Sequence, residues 1–121
     1  MEYEHLTWKA FDDAIKYIAD ECKTIKGLKS VYGIPRGGLI PAVALSHYLE
    51  LPLVDKPNHN SLIVDDIADS GKTMKDYGDN WTATIYYYDK SVFEPDFWMY
   101  AKKKEWVVFP WERLKQNQLK T

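Results

Sequence analysis

The chain has 121 residues, enough for one small domain with a single core and too few for two. Apolar residues make up 45% and the formal net charge is −2, a composition that fits a globular protein and offers no broad basic field for nucleic acid. Its one cysteine, Cys22, excludes an internal disulfide or a cysteine-cluster metal site, and no apolar run approaches the ~18 residues of a membrane span. Met1-Glu2-Tyr3-Glu4-His5 lacks the basic and apolar regions of a signal peptide, so a cytosolic location is expected.

Thr7 can cap a helix running to about Lys26, with Trp8, Phe11, Ile15, Ile18 and Cys22 at helical spacing and Gly27 ending it. These residues read as core. Leu28 to Ile34 reads as a strand entering Pro35-Arg36-Gly37-Gly38, and Leu39 to Leu51 as a helix rich in Ala and Leu. A guanidinium among glycines at the carboxyl end of a strand can clamp a phosphate or pyrophosphate bidentately. A plain helix start would not need Arg36.

Leu53-Val54 reads as a brief strand, followed by the polar turn Asp55 to Asn60. The organising stretch comes next. Leu62-Ile63-Val64 has the length and β-branched character of a strand buried on both faces. Asp65 and Asp66 follow at its expected end, then a turn of small and polar residues, Ala68 to Thr73, leading into a short helix. Gly71 can take backbone angles other residues resist, and such a turn points backbone N–H groups and a helix dipole at one spot, where a phosphate fits. Carboxylates repel that phosphate, so Asp65 and Asp66 are expected to accept hydrogen bonds from neutral hydroxyls or to act through a cation. A phosphorylated sugar meets both demands. Ser70-Gly71-Lys72-Thr73 also looks like the end of a nucleotide-binding P-loop, but that motif needs glycine five residues before Gly71, where Asp66 stands. An ordinary strand-turn-helix does not account for two adjacent acids followed by Asp69-Ser70-Gly71-Lys72-Thr73.

Trp81 to Tyr88, Phe97 to Tyr100 and Trp106 to Phe109 read as three further strands, the last two joined by a solvated Lys102-Lys103-Lys104 turn. Trp111 to Leu114 reads as the start of a frayed helix. Alternating strands and helices predict an α/β domain with a mostly parallel sheet between helices.

Val64-Asp65-Asp66-Ile67-Ala68-Asp69-Ser70-Gly71-Lys72-Thr73 resembles the phosphoribosyl-pyrophosphate (PRPP) signature of the type I phosphoribosyltransferases. Asp69 before Ser-Gly is similar to the purine branch, the xanthine-guanine and hypoxanthine-guanine enzymes. The resemblance implies the single-domain fold of that family with a small hood. It implies that Asp65 and Asp66 hold the ribose hydroxyls, and that Ala68, Ser70, Gly71, Lys72 and Thr73 grip the 5′-phosphate. Asp69 would be a general acid/base near purine N7. Gly33 to Gly38 resembles the family's pyrophosphate loop, which makes Pro35, Arg36, Gly37 and Gly38 pyrophosphate-binding, Arg36 catalytic, and the Pro35–Arg36 peptide bond cis. Magnesium is implied as cofactor, bound mainly through PRPP and with Asp65 and Asp66 as its available protein ligands.

Trp106-Val107-Val108-Phe109-Pro110-Trp111-Glu112 resembles the end of the xanthine-guanine enzymes, where Trp106 would stack on a purine and the Val107 backbone bond its edge; a core role is the alternative for Trp106 and the better reading for Trp111. The family also uses a lysine against the exocyclic oxygen of a 6-oxopurine. Lys90 is the nearest candidate, about two residues late. The chain departs from the family in having only the short 53–60 connection in place of a long covering loop; His59 and Asn60 are candidates to replace it in part, although a lone loop histidine is more often just solvated. The implied activity is transfer of ribose 5-phosphate from PRPP to guanine, xanthine or hypoxanthine, by a cytoplasmic homodimer in purine salvage, with no nucleic-acid or membrane partner. The alternatives are a catalytically weak or inactive PRPP or nucleotide sensor that lost turnover with the loop, and transfer to a different base.

Overall fold

Leu62, Ile63 and Val64 are 0–1% exposed and lie at the centre of the molecule. The computed structural model describes residues 2–113. In chain order it contains β1 (Tyr3–His5), α1 (Trp8–Cys22), β2 (Ser30–Gly33), α2 (Leu39–Leu49), β3 (Leu53–Val54), β4 (Ser61–Ala68), α3 (Lys72–Lys75), β5 (Trp81–Tyr87), β6 (Phe97–Ala101) and β7 (Trp106–Val108). Five strands form one parallel sheet in the order β3-β2-β4-β5-β6, and β1 pairs with β7 in a separate two-stranded parallel sheet.

Alternation along the strands sorts the core into two sides. Val31, Leu62, Val64, Ala83 and Ile85 pack with the apolar stripe of α1 and with Ala42 and Leu45 of α2. On the other side Ile34, Ile63 and Met74 are covered by Tyr32, Tyr77 and Phe93. Thus the sheet has two helices on one face and little more than the single turn of α3 on the other.

Local chemistry explains most boundaries. The Thr7 hydroxyl accepts from Ala10 N at 3.1 Å and starts α1. That helix stops at Cys22, short of Lys26, because Thr24 and Ile25 close tighter turns onto Glu21 and Cys22 before Gly27 reverses the chain at φ 87°. Trp8, expected in the core, is 55% exposed, while Cys22 is buried, and burial pushes its thiol up to about 12.

The sheet reverses its winding at β2, with β3 on one side and β4 on the other. Open parallel sheets bind ligands outside the carboxyl ends of the strands at such a switch. The connection 55–60 is tied elsewhere. Lys29 N donates to Asn60 O at 2.9 Å and Asn80 Nδ2 to Asn58 O at 2.8 Å, which holds it at the amino ends of β2, β4 and β5. His59 and Asn60 therefore lie at the opposite end of the sheet from the switch and do not replace a lid. Of the expected C-terminal helix, Leu114 falls outside the described residues, and Trp111 to Arg113 form no helix.

Candidate active site

Four segments meet at the carboxyl edge of the sheet. The first follows β2, where Ile34 N donates to Val64 O at 2.8 Å and Gly38 N to Ile34 O at 2.8 Å, drawing residues 34–38 into a tight loop against β4. The Pro35–Arg36 peptide bond is cis, as the resemblance implied. Both glycines are required by close approach. A Cβ on Gly37 would fall on the Asp66 carboxylate, and one on Gly38 would meet Ile34 N and O at 2.8 Å and Val64 O closer still. Gly38→Ala thus meets only backbone, and overpacking of this kind costs ~1–3 kcal/mol; a lowered melting temperature by calorimetry checks it. Arg36 is exposed, and its guanidinium has no hydrogen-bond or ion-pair partner among the described residues.

The second segment is the end of β4, which runs further than its sequence suggests. Asp65 pairs in register with Thr84 and Ala68 with Tyr87, so Asp65 and Asp66 lie within the strand and Ala68 is its last residue, not part of the turn. Asp66 N donates to Asp65 Oδ1 at 2.9 Å and Ile67 N to Asp66 Oδ1 at 2.8 Å. Burial, then the neighbouring Asp66 charge, pushes Asp65 up to about 8, and burial also raises Asp66. Because the folded form holds a proton that the unfolded chain releases near pH 4, this pair's contribution to stability is greatest below pH ~4 and falls as pH rises towards 8. In metal-free, ligand-free buffer Asp65→Asn is expected to flatten that decline by ~1 kcal/mol or more, several degrees of melting temperature at pH 8; parallel slopes for both proteins would contradict the assignment.

Third is the turn after β4. Gly71 takes φ 80°, and a Cβ there would strike Ser91 Oγ. Val92 N donates to Ser70 O at 2.9 Å, so loop 91–93 braces the turn. Lys72 N donates to Ser70 Oγ at 3.3 Å, and Ser70, Lys72 and Thr73 are exposed. With only four residues in α3 the dipole is small, so the turn's own N–H groups carry the anion-binding capacity.

The fourth is the hood of β1 and β7. A cavity of about 160 Å³ opens between it and β4, lined by Asp66, Ile67, Asp69, Lys102, Glu105, Trp106, Val107, Phe109 and Glu112. Trp106 is 41% exposed and Val107 7%. Lys90 is not among these residues; it is exposed in the turn after β5.

Lys102 lines this cavity, contrary to the expectation from its sequence position. Expected in a solvated turn, its side chain is only 11% exposed. Its backbone N–H extends the β5–β6 ladder onto Tyr87 O at 2.9 Å. Its Nζ lies 2.8 Å from Asp69 Oδ1 and 4.8 Å from the centre of the Tyr88 ring. Glu4 of β1 holds the turn in place, accepting from Lys103 N at 3.1 Å and Lys104 N at 3.3 Å. Trp111 packs on Phe11 at 5.5 Å and Phe109 at 5.0 Å between ring centres, a structural role as expected.

The chain is 29% identical to a xanthine-guanine phosphoribosyltransferase of Cereibacter sphaeroides, over 69% of each sequence. It superimposes on a purine phosphoribosyltransferase from Pyrococcus horikoshii with a TM-score of 0.82 and 29% identity, covering 95% of this chain and 97% of that one. In sequence and in fold the chain is thus similar to purine phosphoribosyltransferases. A Helicobacter pylori xanthine-guanine-hypoxanthine phosphoribosyltransferase shares the fold at a TM-score of 0.78 and 19% identity, covering 98% of this chain and 97% of that one. No protein-family model matches the sequence. Among the described residues, no helix is long and apolar enough to cross a membrane.

Proposed function

We propose that this protein is a phosphoribosyltransferase that moves ribose 5-phosphate from PRPP to a 6-oxopurine, releasing pyrophosphate, in cytoplasmic purine salvage. The observation that carries this reading is the Asp69–Lys102 pair in the wall of a cavity that Asp66, Trp106 and Val107 also line. One carboxylate and one ammonium, placed beside an aromatic face, match a flat ring with an ionisable N–H and an exocyclic oxygen.

The roles follow from chemistry. Asp65 and Asp66 accept hydrogen bonds from the ribose hydroxyls, which also favour the ionised form of this raised pair. The turn of residues 69–73 after β4, with Ser70, Lys72 and Thr73, receives the 5′-phosphate. Arg36, beside the backbone of Pro35, Gly37 and Gly38, holds the pyrophosphate. As the bond from the anomeric carbon to pyrophosphate oxygen breaks, positive charge grows on the sugar, and neutralising the departing diphosphate lowers the barrier. The purine nitrogen then bonds to that carbon, and its ring proton passes to Asp69 near N7. Trp106 stacks on the base and the Val107 backbone meets its edge.

Two adjacent carboxylates suit a hard cation, and no cluster of three or more His, Cys, Asp or Glu among the described residues could hold one alone. Magnesium therefore fits as an ion carried on PRPP with Asp65 and Asp66 nearby, where it would offset diphosphate charge. Lys102 takes the part expected of Lys90. An ammonium donates only, so it favours an exocyclic oxygen and disfavours the amine of adenine.

Calorimetric titration tests the ligand half of this reading. PRPP with magnesium is expected to bind, and Arg36→Ala to weaken binding at least tenfold, as for loss of a charge-assisted contact. Equal affinity in both proteins would count against the pyrophosphate loop.

A further inference from the structure

Glu4 is the side chain through which the amino-terminal strand reaches the wall of the cavity. In the β1–β7 ladder it stands opposite Val107, with Tyr3 opposite Trp106 on one side and His5 opposite Val108 on the other. Its Oε1 accepts two backbone donors from the turn that joins β6 to β7, Lys103 N at 3.1 Å and Lys104 N at 3.3 Å. The same carboxylate lies beside the Tyr86 hydroxyl, and burial first, then the Glu4 charge, push that phenol up. Tyr86 meets Phe109, which lines the cavity, edge to face at 5.8 Å between ring centres.

The turn has few other constraints. Lys102 N is fixed at its β6 end by Tyr87 O at 2.9 Å, and β7 begins at Trp106. Lys103 and Lys104 lie outside both strands, where no ladder holds their N–H groups. Glu4 supplies the acceptor that the ladders do not. It thereby references the Lys102 ammonium, 2.8 Å from Asp69 Oδ1, to the strand that carries Trp106 and Val107.

We propose that Glu4 is a positioning residue for base recognition: it holds Lys102 at the height of the ring that Trp106 faces, and so sets the preference for an exocyclic oxygen over an amine. The inference rests on the 6-oxopurine reading above and adds to it a residue that touches no substrate.

Stability does not account for the arrangement. Both hydrogen bonds are exposed, so water can replace the carboxylate at either N–H. Position is what is lost, and a misplacement of about 1 Å can cost ~10²-fold in rate. The neighbouring Glu2–Lys104 contact at 3.1 Å joins two exposed side chains and leaves the turn's backbone alone.

Steady-state kinetics of the full chain with PRPP and, separately, guanine, hypoxanthine and adenine test the proposal. Glu4→Ala is expected to raise KM for the preferred 6-oxopurine ~10-fold and to narrow the oxo-to-amino ratio, with KM for PRPP and the melting temperature near wild type. Glu4→Gln, whose amide oxygen still accepts both N–H groups, is expected within ~3-fold of wild type. Glu2→Ala is expected to change neither quantity. Because Glu4 acts through Lys102, adding Glu4→Ala to Lys102→Met should cost no further affinity for the base. If Glu4→Ala does not fold, Glu4→Asp keeps the charge but draws the carboxylate back by one methylene, and carries the same expectation. An unchanged base KM in a folded Glu4→Ala or Glu4→Asp protein, or losses that add in the double variant, overturns the role of Glu4 and leaves the transferase reading standing. A wild type with no turnover on any base overturns that reading and the role of Glu4 with it.

Discussion

Asp69→Asn is expected to lower turnover at least tenfold while leaving PRPP affinity nearly unchanged. The amide keeps the shape of the carboxylate and can still accept a hydrogen bond from Lys102 Nζ, now 2.8 Å from Asp69 Oδ1. What it cannot do is take the purine's ring proton, and general acid/base steps are worth ~10²–10⁴-fold. On the proposed reading PRPP is held by other groups, namely Asp65, Asp66, residues 70–73 and the 34–38 loop, so its affinity measured by calorimetry should move little. A split between turnover and binding is the signature; a variant turning over at the wild-type rate would remove Asp69 from the chemistry.

Lys102→Met is expected to reduce kcat/KM for the preferred 6-oxopurine by ~10–100-fold, the range of one hydrogen bond to a charged group. Methionine fills similar volume in a position where the lysine side chain is 11% exposed, so packing against Tyr88 survives and the ammonium is what is lost. Discrimination between an oxo and an amino purine should narrow, because the donor that selects for oxygen is gone. Lys90→Met should change neither quantity, since Lys90 lies outside the cavity. Kinetics with guanine, hypoxanthine and adenine separate the two lysines.

These two residues also show what the sequence could and could not convey. Asp69 belongs to a contiguous stretch in which a buried β-branched run, paired acids and a glycine turn all sit within a dozen residues, so its position follows from local rules. The 34–38 loop is legible for the same reason. Lys102 is not. Its place depends on the β5–β6 register, which sets Tyr87 opposite Ala101, and on Glu4, which fastens the turn from about 100 positions away.

The hood itself is non-local. Tyr3–His5 is too short to stand out as a strand, and it exists because Tyr3, Glu4 and His5 find Trp106, Val107 and Val108 as ladder partners. The extent of β4 was likewise set by its partner. Aspartate is poor strand material, yet Asp65 is carried in the ladder by Thr84 of the neighbouring strand. The shortness of the 55–60 connection was evident in the sequence, but its attachment to the amino ends of the strands through Asn60 and Asn80 was not. The cavity is consequently covered from the hood side, by Trp106 and Val107, and not by that connection.

Pyrophosphate release with PRPP, magnesium and, separately, guanine, xanthine, hypoxanthine and adenine tests the account most directly, with nucleotide product confirmed by mass. Turnover on at least one 6-oxopurine and little or none on adenine is the predicted result. PRPP binding without release on any base would contradict it, and would leave a ligand-binding protein of transferase fold.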